Sequence, residues 1–303
     1  MTPPLPMPAE FAEQEWLWIG FPHRADLWEE FTLPAQEQIA AYANAVAETG
    51  QQVRLVVHDP GNEARARELV SASVLLERHP YGDIWLRDTG PLALFDREGR
   101  RYARKFRFNG WGGKYDDMEG DQEVGQSLAD AGGLPLELSD WVLEGGAIDS
   151  DGTGLVVTTE QCLLNPNRNP HLSKADIEAR LREELGFDRV LWLGEGLACD
   201  HTDGHVDNLA RFVAPGELAI PLATGPGDPN AAIYEDARAR ASRTGAGLRA
   251  PRASPSSDRI RRRARDTSCR GTSPPRPRRL RARPRRGPRR CRGRTSAPRA
   301  WRS

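Results

Sequence analysis

The feature that most constrains the fold of this 303-residue chain is a repeated unit of a strand, a helix and two more strands. The unit recurs about every 50 to 70 residues, as runs with strand character and runs with helical spacing alternate. Strands are predicted at 15–20, 52–57, 74–76, 83–89, 92–95, 102–108, 141–146, 155–159, 189–193 and 209–213, and helices at 34–50, 62–69, 121–131, 173–186 and 228–241. Such alternation predicts an α/β fold.

A polar residue stands where the apolar strand of each later unit stops. These residues are Asp88, Glu144, and then His205 and Asp207. Repeated modules that bring their strand ends to one axis gather such groups at a common centre. The sequence therefore predicts a central site lined by three carboxylates and one imidazole.

The densest group of ionisable residues is the segment HTDGHVDN at 201–208. As an extended strand, it would place two histidines and two aspartates on one face, with Gly204 interrupting the pattern. These four residues are His201, Asp203, His205 and Asp207. The apolar runs at 189–193 and 209–213 make the segment a predicted rim between two buried strands.

The chemistry of the predicted centre leaves two kinds of cation open. Three carboxylates and an imidazole suit a hard or borderline metal ion. They equally suit a guanidinium, whose donors two carboxylates can bind in a bidentate manner while Trp85 or Trp111 stacks on its face. His205 would transfer protons near neutral pH, with Glu144 as its orienting partner. Hydrolysis of a guanidinium also needs a nucleophile, for which a thiolate is the natural choice.

Charge is distributed very unevenly along the chain. Residues 249–303 hold 21 of the 43 basic residues, all of them Arg, and two of the 43 acidic ones. Such a tail either binds nucleic-acid phosphates without sequence specificity or is the out-of-frame translation of a GC-rich gene. The absence of Lys and of interleaved aromatic residues favours the second interpretation. We therefore predict one folded domain at 1–245 and a disordered Arg/Pro-rich tail at 246–303.

Location and redox state follow from what the sequence does not contain. No run reaches the roughly 18 to 20 apolar residues of a membrane span, and the N-terminus MTPPLPMPAE lacks the pattern of a signal peptide. A cytoplasmic protein without a membrane partner is expected. The four cysteines, at 162, 199, 269 and 291, have no paired spacing, so reduced thiols are expected and Cys162 and Cys199 are predicted to be buried or half-buried.

Five motifs resemble the agmatine deiminases and their bacterial peptidylarginine-deiminase relatives, within the guanidino-modifying pentein superfamily. They are WLRDTGP (85–91), FNGWGG (108–113), LEGGAI (143–148), TTEQCLLNPNRNPHLS (158–173) and DGHVDNLARFV (203–213), and the resemblance runs from about 7 to 241. It implies an α/β propeller of five ββαβ modules around a central site. We expect roughly three to three and a half of those modules in this chain, followed by the tail.

The resemblance also implies roles for individual residues. Asp88 and Asp207 would bind the guanidinium, His205 would be the general acid and base, and Glu144 would support it. Further candidate substrate contacts, for which core packing is the alternative, are Trp85, Asn109 and Trp111. The family's nucleophile is a cysteine in a GGG-x-x-HC motif, and no such segment occurs in the chain. No metal and no organic cofactor are implied.

The function that the resemblance implies is hydrolysis of agmatine to N-carbamoylputrescine and ammonia, for putrescine and polyamine biosynthesis. We expect the chain as given to be inactive, because the cysteine motif is missing. The alternatives are a deiminase of peptidyl or free arginine, and a non-catalytic remnant that binds nucleic acid non-specifically through its basic tail. Assembly as a homodimer is left open.

Overall fold

Four three-stranded sheets follow one another along the computed structural model, which describes residues 3–115, 117–244 and 247–249. The strands are β1 Trp16–Gly20, β2 Gln52–Val57, β3 Val74–Arg78, β4 Leu92–Phe95, β5 Arg101–Arg107, β6 Leu136–Val142, β7 Ile148–Ser150, β8 Leu155–Thr159, β9 Arg189–Leu193, β10 Arg211–Ala214, β11 Glu217–Ala219 and β12 Gly247–Arg249. The helices are α1 Ala25–Trp28, α2 Thr32–Glu48, α3 Pro60–Leu69, α4 Leu86–Thr89, α5 Gly110–Gly113, α6 Val124–Ala131, α7 Glu160–Leu163, α8 Lys174–Leu185 and α9 Ala231–Arg243. Short 3-10 turns lie at Glu29–Phe31, Gly145–Ala147 and Val206–Asn208.

Three of the sheets share one topology. In the orders β4-β5-β6, β7-β8-β9 and β10-β11-β12, an antiparallel hairpin is followed by a helix and a parallel third strand. The first sheet, β1-β2-β3, is parallel throughout. The predicted α/β repeat is therefore confirmed, and the described residues form four sheets where the sequence predicted three to three and a half modules.

The third sheet is buried on both of its faces, and this joins neighbouring modules. Val156 of β8 packs in a cluster with Leu94 and Phe106 of the second sheet, whereas Val157 packs in a cluster with Phe212 of the fourth. Alternate residues of a strand point to opposite faces, so a nearly continuous apolar run such as LVVTT at β8 is needed. Each fully buried aliphatic side chain stabilises this arrangement by about 1.5–3 kcal/mol.

Helix α8 shows how local sequence sets an element that carries a module. Ser173 and Asp176 form a capping box at its start, and Gly186 ends it in the left-handed conformation with φ of 76°. Its buried residues are Ile177, Leu181 and Leu185, which lie on one helical face. The predicted helix at 173–186 is confirmed.

Three predicted strands are wrong at the places where the polar residues lie. The segment 83–89 ends in helix α4, because the Asp83 carboxylate accepts the Ile84 N–H and the Trp85 carbonyl accepts the Asp88 and Thr89 N–H groups. The strand predicted at 141–146 ends at Val142. The rim strand at 201–208 is a series of turns, since Asp203 and Gly204 adopt φ of 65° and 87°.

Within the described residues no helix combines the length and apolarity that crossing a bilayer requires. Of the predicted tail at 246–303, residues 247–249 pair with β11, and the rest lies outside the described residues.

Candidate functional site

The predicted site residues come together around Gly146. A Cβ atom placed on Gly146 would lie 2.5 Å from His205 Nδ1, 2.7 Å from Asp88 Oδ1 and 2.8 Å from Asp207 Oδ2. Glycine is required at such a point because any side chain would overlap these polar atoms. Asp88 follows the first sheet, Gly146 follows β6 and His205 follows β9, so loops after three different sheets supply the site.

Both carboxylate oxygens of Asp88 are held in place. The Gly146 N–H donates to Oδ1 at 2.9 Å and the Trp111 indole N–H donates to Oδ2 at 2.9 Å. His205 Nδ1 lies 3.7 Å from Oδ1. Asp88 therefore keeps a fixed orientation in which each oxygen has one lone pair left for a further donor.

Asp207 is the second carboxylate beside His205. Burial raises the pKa of Asp207, and the nearby Asp88 adds to this rise while His205 opposes it. Two carboxylates that face one imidazole in a largely buried space form a site for a cation. A guanidinium between them would relieve the repulsion and supply the missing hydrogen-bond donors.

Glu144 is fully buried and paired with Arg168, a residue that the sequence analysis did not single out. Arg168 Nε donates to Glu144 Oε1 at 2.6 Å, and the side chains of both residues have no exposure to solvent. Burial raises the pKa of Glu144, with the charges of Arg168 and His205 opposing that effect. The charge of Arg168 therefore counteracts, in part, the tendency of burial to protonate Glu144.

Arg168 also fixes the loop that carries His205. Its other guanidinium nitrogens donate to Asp203 Oδ2 and to the Thr202 carbonyl, each at 2.8 Å. No periodicity marks Arg168, since it lies in the irregular segment between α7 and α8. Its only sequence signal is a charge inside the motif NPNRNP, and a charge that becomes buried must find a partner.

The row of four ionisable residues at 201–207 divides into two pairs. His205 and Asp207 face the centre, whereas Asp203 binds Lys114 and accepts from the Asn167 amide at 2.9 Å. His201 is exposed, and its Nδ1 lies 3.2 Å from the Tyr115 hydroxyl. The division follows from the turn at Asp203, which breaks the two-residue spacing.

The three further candidate contacts lie in different environments. Trp111 is buried and orients Asp88 through its indole N–H, while Asn109 shapes the same loop by accepting from the Gly112 N–H at 2.9 Å and donating to the Asn167 carbonyl at 2.9 Å. Trp85 is half exposed, and its indole N–H donates to Asp83 at 2.8 Å. Among the residues that the structure describes, Trp111 is the one of these three whose side chain donates a hydrogen bond to a predicted carboxylate of the site.

Two cysteines fall within the described residues, and neither has the environment of a nucleophile. Cys162 is fully buried, and burial raises the pKa of its thiol well above the usual value. Its sulfur, a Glu144 carboxylate oxygen and a His205 ring nitrogen lie within 4.8 Å of one another. The burial prediction is confirmed for Cys162 and wrong for Cys199, which is exposed in a turn with φ of 63°.

Comparison with known proteins gives consistent matches. Residues 6–249 match the Porphyromonas-type peptidyl-arginine deiminase family. A putative agmatine deiminase of Vibrio parahaemolyticus is 43% identical over 235 residues, which cover 76% of this chain and 64% of that protein. The agmatine deiminase of Stutzerimonas stutzeri is 40% identical over 243 residues, covering 77% and 64%. The chain thus spans just under two thirds of the length of these curated relatives.

Solved structures give the same result. The agmatine deiminase of Enterococcus faecalis is 33% identical with a TM-score of 0.76, and the match covers 81% of this chain and 69% of that one. A substrate-bound agmatine deiminase of C. jejuni is 30% identical with a TM-score of 0.74, covering 83% and 76%. The predicted α/β pentein fold is confirmed.

Proposed function

Since the chain belongs to the Porphyromonas-type peptidyl-arginine deiminase family, we propose that it is a hydrolase of guanidino C–N bonds of the agmatine deiminase type. Agmatine and water would give N-carbamoylputrescine and ammonia. The names of the relatives favour agmatine over arginine as the substrate. A small guanidino compound is accordingly the proposed ligand of the site.

The observation that carries this proposal is the convergence at Gly146. Asp88, His205 and Asp207 each bring a polar atom to within 2.8 Å of one point, with Asp88 more than 100 residues before the segment that carries the other two. A guanidinium bound beside these residues would donate hydrogen bonds to both aspartates. The imidazole would stand beside the C–N bonds that must change.

The reaction assigns a separate task to each polar group. A thiolate would attack the guanidinium carbon, and the resulting tetrahedral adduct would release ammonia after His205 protonates the departing nitrogen. His205 would then take a proton from a water molecule that attacks the amidino-thioether, which restores the thiolate and releases the ureido product. Glu144 would stabilise the imidazolium form through its charge.

The nucleophile is the part of the reaction that the described residues do not supply. Cys162 is buried with a raised thiol pKa, so its thiolate form is suppressed. The GGG-x-x-HC context is absent from the 303-residue sequence. We propose that the tail is out-of-frame translation after about residue 249, because residues 247–249 pair with β11 and lie within the family match. Sequencing independent clones across codons 235–250 tests this, and an intact single frame there would refute it.

Substrate recognition can be tested on the chain by itself. Isothermal titration calorimetry with agmatine would be compared with putrescine, which carries no guanidinium. We expect agmatine to bind, and Asp88→Asn and Asp207→Asn to weaken binding by about 10-fold or more, because each removes one charge-assisted contact. The exposed Asp140→Asn is the matched control and should bind normally. Unchanged affinity in both site variants would refute the assignment.

Turnover is tested by following ammonia released from agmatine, free arginine and an arginyl peptide. The protein with a corrected frame is used if clones show a frame error, and the 303-residue chain if they do not. His205→Ala should retain agmatine binding and lose turnover. A folded protein that hydrolyses none of the three compounds contradicts the proposed activity, and a preference for the peptide would replace agmatine as the substrate.

Two finer proposals concern location and partners. A cytoplasmic location remains a prediction from the sequence. Non-specific nucleic-acid binding by the basic tail would appear as an affinity that falls steeply with salt concentration, and a salt-independent result would exclude it.

A further inference from the structure

A cluster of three interior side chains, Glu144, Cys162 and His205, adjoins the proposed guanidinium site and shares His205 with it. All three are buried, and one ligand atom from each lies within 4.8 Å of the other two. The three come from different parts of the fold: Glu144 follows β6, Cys162 lies in α7 and His205 precedes the 3-10 turn at Val206–Asn208. Tertiary packing, and not local sequence spacing, therefore creates the cluster.

Two polar atoms of these side chains are left without a hydrogen-bond partner within the described part of the chain, in addition to the roles that Glu144 and His205 have in the proposed reaction. Glu144 Oε2 and His205 Nε2 are buried and have no hydrogen-bond partner among the residues that the structure describes. Leaving a buried polar atom unpaired costs about 1–3 kcal/mol. Such atoms in a native fold commonly mark a ligand or a functional group.

The surroundings of Glu144 orient it for a further ligand. Arg168 Nε occupies Oε1 at 2.6 Å and so fixes the carboxylate plane, while Oε2 remains available. In metal sites, hydrogen bonds from neighbouring residues typically fix the orientation of the side chains that bind the metal. The charge of Arg168 does not exclude a cation, because Asp203 also accepts from it at 2.8 Å.

We propose that Glu144, Cys162 and His205 form a binding site for a thiophilic divalent cation of the Zn²⁺ class. One thiolate, one imidazole and one carboxylate are ligands that Zn²⁺ accepts, with a fourth position left open. Bond lengths of about 2.0–2.3 Å require ligand atoms roughly 3.5 Å apart, so the three side chains would move inward by about 1 Å. Binding releases the thiol proton of Cys162 to solvent.

The consequence for activity rests on the proposed function. Zn²⁺ bound here would occupy the two residues that are assigned to proton transfer and to its electrostatic support. The cation would therefore act as a reversible inhibitor through a thiol that is not the nucleophile. Metal binding itself does not depend on turnover.

Cobalt spectroscopy on the 303-residue chain tests the site, with Co²⁺ as the probe and Zn²⁺ as the competitor. A thiolate ligand gives a charge-transfer band in the near ultraviolet, and we expect one such ligand per chain. Each of the four cysteines is replaced by serine in turn. Cys162→Ser should abolish the band, and Cys199→Ser is the matched control that should retain it.

The outcomes separate this site from other thiols and from misfolding. A band that persists in Cys162→Ser, or that disappears with Cys199, Cys269 or Cys291 instead, overturns the proposal, as does the absence of any band in the parent chain. Cys162→Ala is used as a second variant, with circular dichroism showing that each variant is folded. Glu144→Gln should weaken Co²⁺ binding by about 10-fold or more.

A competition experiment keeps the two proposals distinguishable. Zn²⁺ should lower agmatine affinity in the parent chain, because its positive charge beside His205 would repel the guanidinium. It should have no such effect in Cys162→Ser, which should bind agmatine normally. A cobalt band without agmatine binding leaves the metal site standing and refutes the guanidinium site. If agmatine binds, Zn²⁺ does not alter its affinity and no cobalt band appears, the guanidinium site stands and the metal site is refuted.

Discussion

The buried pair of Arg168 and Glu144 allows the sharpest test of how this site is held together. The Arg168 guanidinium donates to Glu144, Asn167, Asp203 and the Thr202 carbonyl at 2.6–2.8 Å, and its side chain has no exposure. Arg168→Met keeps most of the side-chain volume and removes all four contacts. It leaves the Glu144 carboxylate buried without its cation.

The expected cost follows from this geometry. Removing one partner of a buried ion pair destabilises a protein by about 3–5 kcal/mol, which for a domain of this size lowers Tm by roughly 6 to 20 °C. Arg168→Lys restores the charge without the planar fork, so it should recover part of the loss. The double variant Arg168→Met with Glu144→Gln removes both charges and should be less destabilised than the sum of the two single changes, by about 1–3 kcal/mol.

Urea unfolding followed by tryptophan fluorescence and circular dichroism measures these differences. Arg100→Met is the matched control, since Arg100 pairs with Asp96 and Glu98 while its side chain is 76% exposed. We expect no measurable change for that variant. If Arg168→Met unfolds at the same urea concentration as the parent, or if the double variant shows full additivity, the reasoning on this pair is refuted.

Two further predictions concern the same centre, and a third concerns Asp149, a buried aspartate of β7. Gly146→Ala should abolish agmatine binding, because its methyl group would lie within 2.8 Å of three polar atoms, and calorimetry that shows normal binding would contradict the arrangement. Trp111→Phe should weaken agmatine binding by about 10-fold, since Asp88 loses a hydrogen bond worth about 1.5–3 kcal/mol to a charged group, and an unchanged Kd would assign the indole to packing alone. Burial raises the pKa of Asp149 to about 6, so the stability that this group contributes is present below about pH 4 and is lost as pH rises through 6. Asp149→Asn should flatten that part of the stability profile, which is about 2–3 kcal/mol high, and a profile identical to that of the parent would contradict the shift.

The sequence predicted the parts of the fold that depend on short-range pattern. Strand β8 and helix α8 could be predicted because burial on one or both faces imposes a regular spacing of apolar residues. The ends of α8 could be predicted because Ser173 favours a helix start and Gly186 a helix end. The convergence of Asp88, His205 and Asp207 was also readable, since repeated modules direct the ends of their strands to one axis.

The sequence did not predict the local structure at the site itself. The alternation of side chains expected for a strand does not hold at Asp203 and Gly204, because both residues adopt positive φ. Local hydrogen bonds and the contact of Asp203 with Arg168 support this conformation, and the spacing of apolar residues carries no information about it. Arg168 was missed for a similar reason: its role depends on contacts with residues 24 and 35 positions away, Glu144 and Asp203. Polar residues held by long-range contacts leave no period in the sequence.

The structure also bears on which cation each part of the centre can accept. A hard metal ion would need several free carboxylate oxygens, yet both oxygens of Asp88 already accept a hydrogen bond, from Gly146 and from Trp111. Each Asp88 oxygen therefore has one lone pair left, and it points in a fixed direction. Two such acceptors suit a planar hydrogen-bond donor better than a spherical metal ion, which draws its ligands inward. At Glu144 and Cys162 the situation is reversed, because one carboxylate oxygen lacks a hydrogen bond among the described residues and a sulfur lies close by. His205 takes part in both groups, so occupancy by a soft metal ion and proton transfer to a guanidinium exclude each other at a single imidazole.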